Sequence, residues 1–292
     1  MKNLEEKFNL EMDSAEINRN VQRIIEKAKG EIKAEKLKKA LSFIDLTTLN
    51  TQDTNEKVIN MCKKVNEFNT HFPDLKNVAA ICIYPPFVEL LKKNLTTDVN
   101  IAVVAAGFPS SQTFISVKLA ESKMVVEKGA DEVDIVMSVG TFFEKDFDTI
   151  FKEIALIKEA IGNAHLKVIL ETGLLPDYVS IKLASILSME AGADFIKTST
   201  GKLEPAATPE AVYVMALSIK EFYDKTGKMI GLKPAGGIVT PLDAIIHYTI
   251  VEEILGEKWL TPKYFRLGAS RLANNLLEEI SKISQHKTKK YF

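Results

Sequence analysis

The sequence predicts a single (β/α)8 barrel, and three observations carry that expectation. Eight short runs of apolar and β-branched residues begin near positions 43, 77, 100, 132, 165, 195, 230 and 264, and each leads into a stretch with helical periodicity. The runs are apolar on both faces, which is the pattern of parallel strands buried from both sides. No linker or shift in composition divides the 292 residues, a length at which α/β barrels run as one domain. The count of eight and the two-sided burial favour a closed barrel over an open doubly wound sheet, the other fold that the same alternation allows.

The elements follow in order. A polar start leads to a cap at Asp13 or Ser14 and a helix with Ile17, Val21, Ile24, Ile25 and Ala28 on one face, closed near Gly30. A second helix over 31–41 completes a helical extension, residues 1–42. The barrel is expected over 43–284, opening with the strand Phe43 to Leu49. Asp53-Thr54 caps the next helix, and the apolar run Asn77 to Tyr84 stops at Pro85-Pro86. A short helix, a third strand from Asn100 to Ala106 and a helix from Ser111 to Lys128, closed by Gly129, come next. Glu132 to Met137 is the fourth strand, Leu166 to Thr172 the fifth, and Phe195 to Thr200 the sixth. Thr208-Pro209 and Thr240-Pro241 each place a capping hydroxyl before a proline at the first helical position. They flank the seventh strand, which starts at Ile230. The eighth, Tyr264 to Ser270, precedes a closing helix, and a polar tail occupies 285–292.

Composition narrows the function. Lys plus Arg number 38 and Asp plus Glu 39, so no field of one sign directs the protein to nucleic acid or an anionic membrane. An anion site has to be local. Two cysteines, Cys62 and Cys82, form neither a disulfide framework nor zinc-ligand spacing. With no apolar signal region at Met1 to Lys7 and no apolar run long enough to span a bilayer, a cytoplasmic protein is expected. The four histidines, His71, His165, His247 and His286, have no ligand spacing, so neither a metal nor another cofactor is expected. Walker and dinucleotide-binding patterns are missing too.

Barrel enzymes carry their sites at the C-terminal ends of the strands. The ionisable residues there that point inward are Asp45, Asp134, Lys167, Glu171, Lys197 and Lys233. Lys197 and Lys233 lie on neighbouring strands, and two ammonium groups facing one narrow interior cannot both keep their protons easily. A neutral lysine attacks carbonyls, and the resulting imine lets an adjacent carbon–carbon bond break or form, with Asp134 as a proton carrier. The structural alternatives are an Asp134 held in an ion pair and a Lys233 paired with Glu171 or Asp134; Lys167, early in its strand, reads as structural. Gly201, Gly236-Gly237 and Gly268 end the sixth, seventh and eighth strands, where freed backbone amides suit a phosphate, with Lys202 and Ser270 adding a charge and a hydroxyl. The same glycines also serve as simple tight turns.

Seven motifs, in order from about residue 43 to 270, carry a resemblance. They are Phe43 to Leu49, Ala80 to Pro85, Gly129 to Asp134, Leu166 to Gly173, Ala193 to Lys202, Lys233 to Gly237 and Phe265 to Ser270. Together they resemble the deoxyribose-phosphate aldolases. The resemblance implies a class I aldolase, working without metal, that reversibly cleaves 2-deoxyribose 5-phosphate to acetaldehyde and glyceraldehyde 3-phosphate in the catabolism of deoxyribonucleotides. By the same resemblance Lys197 forms the imine, Lys233 depresses its pKa and Asp134 relays protons through water. Asp45 and Thr47 are implied near the sugar hydroxyls, and Gly201, Lys202, Gly236, Gly237 and Ser270 near the phosphate. A homodimer is implied as well. Val239 and Arg271 depart from the pattern, standing where many relatives have a basic residue and a second serine; Arg271 is a candidate replacement for the charge. Tyr291 is a candidate for the C-terminal tyrosine that some relatives use. Two further readings remain open: another imine-forming lyase of phosphorylated sugars or keto acids, and a phosphosugar-binding barrel without chemistry.

Overall fold

The computed structural model describes residues 6–283 and 290–292. Its described residues form eight parallel strands: β1 Ile44–Thr47, β2 Ala80–Ile83, β3 Asn100–Val104, β4 Glu132–Val136, β5 His165–Ile169, β6 Phe195–Lys197, β7 Gly231–Lys233 and β8 Leu267–Ala269. From β1 to β7 each pairs with its sequence neighbours, and β1 also pairs with β8. Bridges from Leu232 to Phe265 and from Ala235 to Gly268 join the last edge, so the ring closes as the sequence predicts. Closure leaves no free edge to template aggregation.

The helix starts follow from their caps. Asp13 accepts the amides of Ala15 and Glu16 and opens α1, Ser14–Lys29. Its buried face is Ile17, Val21, Ile24 and Ala28; Ile25 is only partly buried. The second helix, α2, spans Ala34–Leu41. Thr54 caps Asn55–His71, Thr208 caps Pro209–Thr226, and Thr240 with Asp243 forms a reciprocal capping box on Pro241–Ile254. These side chains satisfy amides that would otherwise lack partners at each helix start.

Helix α1 lies outside the barrel, against Pro209–Thr226 and Pro241–Ile254. Arg23 clamps Glu253 with two bonds of 2.6 and 3.2 Å, and Phe8 stacks on Phe222 with centroids 6.0 Å apart. The extension therefore covers the apolar outer faces of the last helical layer. Two expectations shift. The helix placed from Ser111 begins at Ile115, because Ser111 has a left-handed backbone, φ 59°, that cannot enter an α-helix. Between β4 and β5, where the sequence pattern predicts one helix from about Glu144 to Ala160, a short helix, Val139–Phe143, precedes Phe147–Ile161. Of the expected tail, 285–289 lie outside the described residues.

Candidate active site

Strand alternation and register bring the ionisable residues together. Lys197 and Lys233 are direct partners across β6 and β7, and Asp134 is the partner of Lys167 across β4 and β5. Side chains that alternate inward on strands of a closed barrel have only one another to meet. Asp134 Oδ2 accepts from Lys197 Nζ at 2.8 Å and from Lys233 Nζ at 2.7 Å. Its other oxygen accepts from Lys167 Nζ at 3.1 Å. Lys233 is also paired with Asp45 Oδ2 at 2.5 Å. Below this layer Arg266 holds Asp45 Oδ1 and Glu132 Oε1, each at 2.7 Å, and Lys167 donates to Glu132. All seven side chains are buried. Gly268 makes room for this arrangement, because a Cβ there would lie 3.3 Å from Lys233 Cε and 2.7 Å from Ala235 Cβ.

The charges around the two amines differ. Three carboxylates, Asp45, Glu132 and Asp134, face four bases, Lys167, Lys197, Lys233 and Arg266. An uncompensated buried charge is costly, so three bases balance the carboxylates and the fourth is driven to give up its proton. Burial pulls the Lys197 amine below the ordinary lysine range, and the neighbouring Lys233 charge pulls in the same direction against the attraction of Asp134. For Lys233 burial acts downward too, but Asp134 and Asp45 outweigh it and hold the ammonium well above its usual range. Burial acts to raise the Asp134 carboxyl, yet Lys167, Lys197 and Lys233 together hold it far below the carboxylate range. Asp45 is likewise lowered against its burial, by Lys233, Arg266 and Lys167.

A cavity of about 310 Å³ opens at the C-terminal mouth of the barrel. Of the four bases only Lys197 lines it. Thr47, Gly201, Lys202, Gly236, Gly237, Gly268 and Ser270, each singled out by the sequence, also line it. Asp45 does not: it is fully buried, its oxygens held by Lys233 and Arg266. Thr47, whose hydroxyl donates to the Asp45 carbonyl, is the wall residue of that pair. Lys202 reaches across the mouth and donates to the Leu49 carbonyl. Arg271 is exposed on the wall beside Val239. The helix Leu272–Ile283 starts directly after Arg271, with its positive end toward this side of the mouth.

Tyr291 is not at the mouth. Its hydroxyl donates to the Lys64 carbonyl at 2.7 Å, and its ring packs on Phe68 and Phe72. Glu171 does not pair with Lys233; it bonds to Thr200. Glu132 and Arg266 belong to the ion cluster although the sequence reading left them out. Glu132 stands two residues before Asp134 on one strand, and that spacing is the signal that places both on the same face.

A (β/α)8 barrel with a buried lysine of lowered pKa at its mouth has the arrangement of an aldolase, an enzyme of the lyase class. The comparisons agree. The sequence profile of the DeoC/LacD family aldolases matches residues 39–250, and the chain belongs to that family. It is 40% identical over 272 residues to a Caenorhabditis elegans protein provisionally named deoxyribose-phosphate aldolase, covering 92% of this chain and 89% of the relative. It is 39% identical over 264 residues to the Homo sapiens deoxyribose-phosphate aldolase, covering 86% and 83%. A tetrameric deoxyribose phosphate aldolase from Aeropyrum pernix is 26% identical and superposes with a TM-score of 0.64, over 83% of this chain and 91% of that one.

Proposed function

We propose that the protein reversibly cleaves 2-deoxy-D-ribose 5-phosphate to acetaldehyde and D-glyceraldehyde 3-phosphate through an imine on Lys197, in the catabolism of deoxyribonucleotides. The observation that carries this reading is the single oxygen Asp134 Oδ2 bonding both Lys197 and Lys233. The neutral Lys197 amine attacks C1 of the open-chain sugar, and loss of water gives the protonated imine. Electrons of the C2–C3 bond flow into that iminium as the C3 hydroxyl loses its proton. Glyceraldehyde 3-phosphate leaves, and an enamine stays on Lys197. Protonation at C2 and hydrolysis then release acetaldehyde and restore the amine. Asp134, held ionised, and Lys233, held protonated, are the acceptor and donor beside the reacting nitrogen, and water carries the protons to and from the substrate.

The phosphate end is assigned to the opposite wall. Lys202, the Arg271 guanidinium, the amino end of Leu272–Ile283 and the turns at Gly201 and Gly236-Gly237 supply positive potential there. The uncharged Val239 makes Lys202 and Arg271 the charges this assignment depends on. The expected cytoplasmic homodimer is part of the same proposal, and sedimentation of the purified protein tests its assembly. Acetaldehyde release from deoxyribose 5-phosphate by metal-free protein tests the reaction: release that Lys197→Ala abolishes supports it, and binding of the sugar without release favours a phosphosugar-binding barrel.

A further inference from the structure

Glu171 takes no part in the chemistry above, yet it is buried, at 3% exposure, beside the loop that carries Lys202. Its backbone is left-handed, φ 52° and ψ 56°, a conformation that residues with side chains rarely adopt. From the end of β5 its carboxylate crosses to the next loop. Oε1 accepts from the Thr200 amide at 3.1 Å, and Oε2 accepts from the Thr200 hydroxyl at 2.6 Å. The two loops are in close contact: a Cβ on Gly173 would lie 1.9 Å from the Pro205 carbonyl oxygen.

The chemistry of these bonds fixes one proton. A carboxylate only accepts, so the Thr200 hydroxyl must donate to Glu171. The same hydroxyl oxygen accepts from the Lys202 amide at 3.1 Å. One lone pair is left for the cavity that Thr200 lines. Thr200 therefore presents an acceptor to the cavity, which suits a donating sugar hydroxyl and not a phosphate oxygen.

We infer that Glu171 is a positioning residue: by taking the Thr200 proton it turns Thr200 into an acceptor for a substrate hydroxyl, and it holds the Thr200–Lys202 turn in place. This rests on the function proposed above and deepens it. The imine step at Lys197 lies outside the influence of Glu171, because no hydrogen bond of Glu171 or Thr200 reaches the ion cluster.

Glu171→Gln reverses the proton without changing the shape. The carboxamide oxygen has to stay on the Thr200 amide, so its NH2 donates to the Thr200 oxygen. That oxygen then receives two donors, and its own proton turns into the cavity. KM for deoxyribose 5-phosphate is expected to rise about tenfold, the size of one lost hydrogen bond. The yield of borohydride-trapped acetaldehyde on Lys197, a ligand too short to need Thr200, is expected to stay within about twofold. Glu171→Asp keeps the carboxylate and is expected to recover part of the KM. Thr200→Val is expected to raise KM by itself, and Glu171→Gln in that background to add nothing.

A KM in Glu171→Gln equal to that of the wild type overturns the inference, provided the wild type forms the adduct and cleaves the sugar. Equal losses of adduct, kcat and melting temperature also overturn it, because they mark a purely structural role. A wild type that neither forms the adduct nor cleaves the sugar removes the underlying function as well, and so is told apart from failure at Glu171.

Discussion

Lys197 and Lys233 meet at one atom, Asp134 Oδ2, at 2.8 and 2.7 Å. Three carboxylates and four bases share that interior, so the two lysines are not equivalent: the Lys233 pKa is held up and the Lys197 pKa is pulled down. The division follows from which carboxylates each amine touches. Lys233 has Asp45 as well as Asp134, whereas Lys197 has Asp134 alone.

Removing the Lys233 charge tests this division. In Lys233→Leu the cation that adds to burial in lowering the Lys197 pKa is gone, and two carboxylates lose a partner. Lys197 then keeps its proton to higher pH. Because only the neutral amine attacks, the acidic limb of the pH–rate profile moves upward, and kcat/KM at neutral pH falls by about 100-fold or more. An acidic limb at the wild-type position contradicts the division.

Asp134→Asn removes the anion at the centre of the cluster and leaves the bases in excess. Loss of one partner from a buried ion pair costs about 3–5 kcal/mol, so a markedly lower denaturation midpoint is expected together with loss of cleavage. Chemical denaturation checks the first and acetaldehyde release the second. Native-like stability with full activity excludes the central role of Asp134.

The buried carboxylates make stability depend on acid. Asp45, Glu132 and Asp134 are held below their ordinary values in the folded state. Each contributes stability that is fully present above the unfolded carboxylate pKa of about 4 and is lost as the pH falls through the folded value. The melting temperature should therefore drop steeply below about pH 4. A melting temperature that stays flat well below that pH shows that these groups are not ion-paired.

Gly236 tests the phosphate wall. Its φ is +84°, and a Cβ would meet Ala206 Cβ at 2.7 Å and Gly201 Cα at 3.1 Å. Gly236→Ala should displace the turn and raise KM for deoxyribose 5-phosphate about tenfold or more, with little change for unphosphorylated deoxyribose. Equal effects on the two sugars place the phosphate elsewhere.

The sequence carried Lys197, Lys233 and Asp134 because regular strands alternate, and an inward ionisable residue stands out in an apolar run. Helix starts were readable for the same local reason: Asp13, Thr54, Thr208 and Thr240 cap the helices they precede. What escaped depends on neighbours distant in sequence. Arg266 joins Asp45 and Glu132 only after the ring closes. Thr200 lies beyond the end of β6 at Lys197, where alternation no longer tells which way a side chain points. The depth of Asp45, buried with Lys233 and Arg266 on its oxygens, was not readable either, because strand periodicity gives the face of a residue and not its layer in the barrel.

Lys197, which lines the cavity, and not the fully buried Lys233, is the amine proposed to bond to substrate. The most direct measurement is mass mapping of the peptide modified when the protein is reduced with borohydride in the presence of acetaldehyde. A two-carbon addition on Lys197 that is absent in Lys197→Ala is the expected result. An adduct on Lys233 or Lys202, or one that survives Lys197→Ala, contradicts it.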